Sequence, residues 1–146
     1  MELKFLDKAM KEFESFKTLF DNPKSALIPT LYLAEKEFGH LSKEAMEYVA
    51  KLMKISPAKV KEVASFYTML HQKPIGKFDI QICTNLTCAM MKGRELLSYL
   101  EKKLKIKKDE TTQDKKFTLT QVECLGACDK APAIRINTTY HYNVTP

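Results

Sequence analysis

Glycine is scarce in this sequence, and its scarcity argues against one common kind of binding site. The chain has 146 residues but only four glycines, and no Gly-rich phosphate-binding loop is present. Neither a nucleotide nor a flavin has an evident site here. Any hydride donor must therefore be handled by a partner.

Long apolar runs are also missing. No window of about eighteen residues is free of charge, and residues 1–17 interleave Lys and Glu with the apolar positions. We therefore expect neither a signal peptide nor a membrane span, and no direct insertion into a membrane. With 45% apolar residues, the chain still has enough apolar surface to build a globular fold.

The basic residues are spread along the chain and are mostly Lys. The net charge is +6, but no Arg-rich recognition helix is present, so we expect no nucleic acid partner. The densest run of lysines is typical of a solvated helix end, and a docking surface is the alternative interpretation. It comprises Lys102, Lys103, Lys105, Lys107 and Lys108. The three histidines (His40, His71 and His141) are scattered, and no catalytic residue is predicted.

Apolar spacing predicts four amphipathic helices in residues 1–74. The predicted helices cover residues 3–20, 25–39, 42–53 and a segment that starts at Pro57 and ends before Pro74. Ser56 is expected to cap the fourth helix and Gly39 to end the second, where Pro29 lies in the first turn. We interpret the aromatic residues of this half as packing residues. They include Phe38, Tyr48, Phe66 and Tyr67.

After Gly76 the period changes to that of a strand. Phe78, Ile80 and Ile82 alternate with polar residues and lead directly to Cys83. Residues 86–104 return to helical spacing, 107–116 read as a loop, and two further strands are predicted at 117–123 and 133–137. Residues 75–146 thus form a second, α/β subdomain, and the complete chain is of the α+β or α/β class.

The cysteines fall in two close pairs. Cys83 and Cys88 form a Cys-x4-Cys pair, Cys124 and Cys128 form a Cys-x3-Cys pair, and no cysteine precedes residue 83. Without a secretory signal, this pattern favours metal binding or redox work over a disulfide scaffold. The strand, helix and strand around the pairs make a βαβ unit, so both cysteine loops should meet at one sheet edge.

Four thiolates bind either zinc or an iron-sulfur cluster. Structural zinc sites mostly use Cys-x2-Cys, whereas the longer spacings here suit ligand pairs divided between two irons, so the cluster is favoured and a zinc-stapled binding protein remains the alternative. Gly126 allows the backbone either a close approach or positive φ inside the second loop. We expect nearby apolar residues to keep water away from the site. They are Leu86, Met90, Met91, Leu125, Ala127 and Pro132.

Two motifs identify a known family. CTNLTC (residues 83–88) and VECLGACDKAP (residues 122–132) resemble the thioredoxin-like 2Fe-2S subunit of NADH:quinone oxidoreductase, the E-type subunit of respiratory complex I. Residues 38–70 also resemble the helical segment of that family, and the likeness covers roughly residues 24–146. It implies a helical bundle followed by a thioredoxin-like ferredoxin domain, with all four cysteines as ligands of one 2Fe-2S cluster.

The resemblance also implies partners. The family member docks on a larger flavoprotein that holds FMN and NADH, alongside other peripheral-arm subunits on the cytoplasmic face of the membrane. Its cluster exchanges single electrons with the FMN, so the chain is an electron carrier without a substrate site of its own. Related subunits belong to NAD-linked hydrogenases and formate dehydrogenases, and these enzymes remain alternative hosts for this chain.

The helical half carries more large apolar residues than a small α/β domain should need, so we expect it to cover the sheet and also to dock on the flavoprotein. The first helix is the best candidate, with a self-contained bundle or a homodimer seam as the alternative. The residues concerned are Phe5, Phe13, Phe16, Leu19, Phe20, Leu31, Tyr32 and Leu33.

Overall fold

The chain divides between residues 74 and 75 in the computed structural model, which describes residues 3–146. One unit ends at Pro74 and the other spans Ile75–Pro146. Each unit has a hydrophobic core of its own residues. Within residues 3–146, no helix has the length and apolar character that crossing a membrane requires.

The first unit contains the four predicted helices. They are α1 (Asp7–Leu19), α2 (Leu27–Phe38), α3 (Lys43–Met53) and α4 (Pro57–Phe66), with a short 3-10 turn at Pro23–Ala26 before α2. The predicted ends are confirmed where a specific residue marks them. Ser56 accepts a hydrogen bond from the amide of Ala58 over 3.3 Å, and Gly39 ends α2 with φ of +82°.

Aromatic rings hold the helical unit together. Phe5 stacks on Phe38 at 5.6 Å between ring centroids and meets Tyr48 edge-on at 5.1 Å, while the Tyr48 hydroxyl accepts a hydrogen bond from the Phe5 amide. The packing interpretation is thus right for Phe38 and Tyr48. It is wrong for Phe66, which is 76% exposed at the end of α4, although Tyr67 beside it packs on the core.

Most of the large apolar side chains expected in excess are core residues. Phe5, Phe13, Leu31 and Leu33 are buried, and Phe16 is partly buried against the same cluster. The residues of this set that remain exposed are Leu19, Phe20 and Tyr32. The exposed apolar surface of this set is therefore smaller than the sequence suggested.

The second unit is a mixed sheet with helices. Its elements are β1 (Phe78–Cys83), α5 (Leu86–Met90), α6 (Gly93–Leu104), β2 (Glu110–Thr111), β3 (Phe117–Val122), β4 (Ile134–Ile136) and β5 (Thr139–His141). The strand order is β2-β3-β1-β4-β5. β1 and β3 are parallel, and the other neighbouring pairs are antiparallel. The predicted βαβ unit is therefore present at the centre of the sheet.

One face of the sheet forms the core of this unit. Ile80, Ile82, Leu119 and Ile134 pack with Leu96 of α6, whose apolar positions recur at helical spacing. The opposite face of β1 is polar and yet buried, because Asp79 and Gln81 are 3% and 2% exposed. The Asp79 carboxylate accepts hydrogen bonds from Gln81 Nε2 at 2.7 Å and Thr120 Oγ1 at 2.8 Å.

Two details of this unit differ from the sequence prediction. The helix predicted over residues 86–104 is broken between α5 and α6, where Lys92 takes a left-handed conformation with φ of +71°. The strands β2 and β5 lie outside the predicted strands, and β2 falls in the predicted loop 107–116. Strands of two or three residues are too short to show an alternating pattern in sequence.

Candidate iron-sulfur site

The parallel strands β1 and β3 bring the two cysteine loops to one edge of the sheet. Cys83 is the last residue of β1 and pairs in register with Val122, the last residue of β3. Cys124 follows β3 immediately after Glu123. Parallel strands of equal length end side by side, so both loops begin at the same level of the sheet.

The first pair of thiols is buried. Cys83 and Cys88 pack with Val122 and Ala131, and Leu125 covers them in part. The Cys83 thiol donates a hydrogen bond of 3.8 Å to the backbone carbonyl of Glu123, which comes from the second loop. The buried sulfur atom of Cys83 thus already contacts the chain segment that leads from β3 to Cys124.

The pKa of Cys88 indicates which cysteines lie near one another. Burial is the main cause that raises the pKa of this thiol, and a hydrogen bond with the backbone of Ala133 lowers it. A hydrogen bond with the Cys83 side chain and the charges of Cys83 and Cys128 raise it further. Cys83 and Cys128 are therefore within electrostatic reach of Cys88.

The second loop is exposed and shaped by glycine. Cys124 and Cys128 are both exposed. Between them Gly126 has φ of +66°, as its position in a short turn required, and its amide donates a hydrogen bond to Cys124 Sγ at 3.3 Å. Cys128 then opens a 3-10 turn, Cys128–Lys130.

A second glycine belongs to the site and was not identified from sequence. Gly93 starts α6, and a Cβ atom on it would lie 2.7 Å from the Cys88 carbonyl oxygen and 2.9 Å from that of Cys83. The backbone thus passes against both cysteines at a distance that only glycine allows. The available sequence signal was the single Gly inside an otherwise helical stretch, which commonly marks a close approach or a helix end.

The expected apolar shield is present only in part. Pro132 is buried and Leu125 and Ala127 are half-buried, but Leu86, Met90 and Met91 are 73%, 76% and 53% exposed. The expectation for these three residues is wrong. The short helix α5 buries Cys88 on one side, whereas Leu86 and Met90 lie on its exposed side.

The chemistry of the donor set suits an iron-sulfur cluster. Four thiols stand on two loops at one sheet edge, and a backbone amide already donates to one of the sulfur atoms, as is common around sulfur ligands. Among residues 3–146, no group of three or more His, Cys, Asp and Glu side chains is arranged to hold a metal ion. The assignment of all four cysteines as ligands stays a prediction.

A βαβ unit with thiols following both parallel strands, joined to a helical bundle, defines a redox-type α+β module. A family model described as thioredoxin-like [2Fe-2S] ferredoxin matches residues 11–146. The chain belongs to the thioredoxin-like [2Fe-2S] ferredoxin family, which confirms both the predicted family and the predicted fold class.

Curated relatives are similar over most of the chain. One of the E-type subunits of NADH-quinone oxidoreductase in Rhizobium meliloti (strain 1021) is 42% identical over 134 residues, which are 92% of this chain and 80% of the relative. The E-type NADH-quinone oxidoreductase subunit of Rickettsia prowazekii (strain Madrid E) is 44% identical over 83% of this chain and 69% of its own length.

A solved structure has the same fold. The NAD+-reducing [NiFe]-hydrogenase in the H2-reduced state contains a chain that superimposes on 82% of this one with a TM-score of 0.71. The identity is 22%, and this protein corresponds to 20% of that chain. At this identity the similarity concerns the fold alone.

Proposed function

We propose that this chain is an electron-transfer subunit of NADH:quinone oxidoreductase that holds one 2Fe-2S cluster on four cysteines. The ligands are Cys83, Cys88, Cys124 and Cys128. The proposal rests above all on one observation, the register of Cys83 with Val122, because it starts both thiol loops at the same sheet edge. The names of the relatives, which are subunits of NADH-quinone oxidoreductases, support the choice of host.

The two cysteine pairs would hold the 2Fe-2S cluster from different sides. A 2Fe-2S cluster supplies one-electron redox chemistry, and four thiolates hold it. Cys83 and Cys88 provide buried ligands among apolar neighbours, while Cys124 and Cys128 provide ligands on the exposed side. The Gly126 amide stabilises negative charge on Cys124 by donating to its sulfur. Buried ligands limit access of water, and exposed ligands leave a side open to a redox partner.

The spacing of the cysteines supports a division of ligands between the two irons. Each short loop chelates one tetrahedral centre, so Cys83 shares an iron with Cys88, and Cys124 shares the other with Cys128. We also propose that the two units are separate domains, residues 1–74 and 75–146, because each core is built from residues of one unit.

The partner in this proposal is a flavoprotein subunit that holds FMN and NADH, within a peripheral arm on the cytoplasmic side of the membrane. Electron exchange with its flavin is best tested in the direction from this chain to the flavin. The full chain is reduced with dithionite, freed of excess reductant and mixed anaerobically with oxidised flavoprotein. EPR then follows the reduced cluster while absorbance follows the flavin.

The proposal predicts that the EPR signal decays as the flavin is reduced, and that the Cys128→Ala chain does not reduce the flavin. A signal that persists beside an oxidised flavin, with no complex formed, contradicts it. Affinity capture of the tagged chain identifies the host. Quinone oxidoreductase subunits are expected, whereas hydrogenase or formate dehydrogenase subunits would assign the same module to a different enzyme.

A further inference from the structure

The side chain of Gln121 connects the lysine-rich loop to the first cysteine loop. Its Oε1 accepts a hydrogen bond from Lys108 Nζ at 2.8 Å, and its Nε2 donates to Thr84 Oγ1, also at 2.8 Å. Thr84 follows Cys83 directly and is 9% exposed. Gln121 lies near the end of β3, just before the second cysteine loop. One side-chain amide thus joins the lysine-rich loop to the start of the first cysteine loop.

The donor and acceptor inventory fixes the direction of this contact. A lysine ammonium only donates, so Lys108 must face the oxygen of the Gln121 amide. The amide nitrogen then faces Thr84, whose hydroxyl oxygen acts as the acceptor. The Thr84 hydroxyl hydrogen is consequently left for donation to another group. Without Lys108, either orientation of the amide would satisfy Thr84.

The backbone holds Lys108 in place above Gln121. The Lys108 amide donates to Glu101 Oε1 at 3.0 Å, and the next amide, of Asp109, donates to the Leu119 carbonyl at 2.6 Å. Asp109 has φ of +65°, and its side-chain Oδ1 accepts a hydrogen bond from the backbone amide of Gln121 at 3.4 Å. Because the loop backbone is already held on both sides, the contact of the Lys108 ammonium with Gln121 costs side-chain entropy but little backbone entropy.

We propose that Lys108 and Gln121 are positioning residues for the cysteine site. They hold Thr84, and with it the start of the Cys83–Cys88 loop, in one orientation. The Gln121 amide and the Thr84 hydroxyl are dipoles aligned in series, and they extend the positive potential of Lys108 toward that loop. Hydrogen bonds in such a series strengthen one another. Because reduction adds negative charge to the site, the contact raises its reduction potential. This inference rests on the proposed function.

The test compares the reduction potential of matched variants of the cluster-loaded full chain by EPR-monitored redox titration. Lys108→Met and Gln121→Leu should lower the midpoint potential. At fixed potential the ratio of oxidised to reduced protein should rise about threefold, which is about 28 mV at 59 mV per decade. The double variant should shift no further than either single variant, because both remove the same contact. Lys108→Arg keeps the charge and the donor, so its midpoint potential should equal that of the wild-type chain.

Lys107→Met is the control, because it removes the same charge from the same loop without touching the contact with Gln121. An equal shift for Lys107→Met and Lys108→Met would mean that only long-range charge acts, and the inference would be wrong. Unchanged potentials in both Lys108→Met and Gln121→Leu would overturn it as well. If Gln121→Leu loses the cluster, the comparison of Lys108→Met with Lys107→Met still tests the inference, because Lys108 is exposed.

A second measurement separates this inference from the proposed function. In the metal-free chain, Lys108→Met and Gln121→Leu should raise the alkylation rate of the buried thiols Cys83 and Cys88 about threefold, because the loop is less well held. Lys107→Met should leave that rate unchanged, and equal rates in all variants would contradict the positioning role. A wild-type chain without iron and sulfide would instead contradict the proposed function.

Discussion

The backbone amide of Gly126 donates a hydrogen bond to Cys124 Sγ at 3.3 Å, from a residue whose φ is +66°. A side chain at this position strains the left-handed backbone even though nothing within 4 Å would meet its Cβ. We therefore expect Gly126→Ala to lower the free energy of unfolding by about 1–2 kcal/mol. It should also accelerate cluster loss, which the decay of visible absorbance measures.

Gly39→Ala is the control for this prediction. Gly39 also has positive φ, at +82°, with no atom within 4 Å of an added Cβ, but it ends α2 in the helical unit. Urea unfolding should give a similar loss of stability for both variants, while only Gly126→Ala changes the visible spectrum. Identical cluster lifetimes in the two variants would show that the Gly126 loop does not support Cys124.

The close approach of Gly93 leads to a second prediction. An added Cβ would lie 2.7 Å from the Cys88 carbonyl oxygen, and this backbone cannot move away without shifting both cysteines of the first pair. Gly93→Ala should therefore abolish or strongly reduce cluster incorporation, measured as iron per chain. Gly76→Ala produces a comparable clash, 2.9 Å from the backbone of Lys116 and Phe117, away from the cysteines. If Gly93→Ala retains as much iron as Gly76→Ala, the backbone contact is not part of the site.

The buried polar face of the sheet gives a prediction about stability. Thr120 donates to the carboxylate of Asp79, a residue 3% exposed, so Thr120→Val leaves a buried acceptor short of one donor. The expected cost is about 1–3 kcal/mol in the free energy of unfolding. Thr18→Val removes an exposed hydrogen bond to the Ser15 carbonyl and should cost less than half as much in the same urea titration. Equal losses would mean that burial does not strengthen the Asp79 contact.

The docking hypothesis for the first helix now needs a different experiment. Deleting residues 1–20 would remove Phe5, Ala9 and Phe13 from the core, so lost partner binding would only report unfolding. The exposed residues Leu19 and Phe20 are better targets. Leu19→Ser with Phe20→Ser should weaken binding to the flavoprotein tenfold or more at unchanged thermal stability, measured by surface plasmon resonance and circular dichroism. Unchanged affinity would exclude this end of α1 as a docking element.

Sequence periodicity predicted the helices and the central strands because those segments are long and each has one clear apolar stripe. The capping residues Ser56 and Gly39 acted locally, through side chain or backbone conformation, so their roles were readable without tertiary structure. The break at Lys92 was missed because a non-glycine residue in the left-handed region has no reliable sequence signal.

The sequence predicted where the two cysteine pairs lie in the fold but not what surrounds them, and the role of the four cysteines as ligands stays a prediction. Cysteine spacing and the βαβ pattern were enough to bring Cys83 and Cys124 to one edge of the sheet. Which apolar neighbours shield the site depends on the side of α5 that faces the sheet, and five residues are too few to define that side. The contact of Gln121 with Thr84 joins residues 37 positions apart in sequence, so only the folded chain reveals it.

Iron and acid-labile sulfide analysis of the anaerobically purified full chain, joined with EPR after one-electron reduction, tests the central claim most directly. The proposal predicts about two irons and two sulfides per chain and a signal from one reduced 2Fe-2S cluster. The Cys124→Ala and Cys128→Ala chains should lose most of this iron, because an open coordination position exposes the metal to water. Stoichiometric zinc without labile sulfide would contradict the assignment of this chain as an electron carrier.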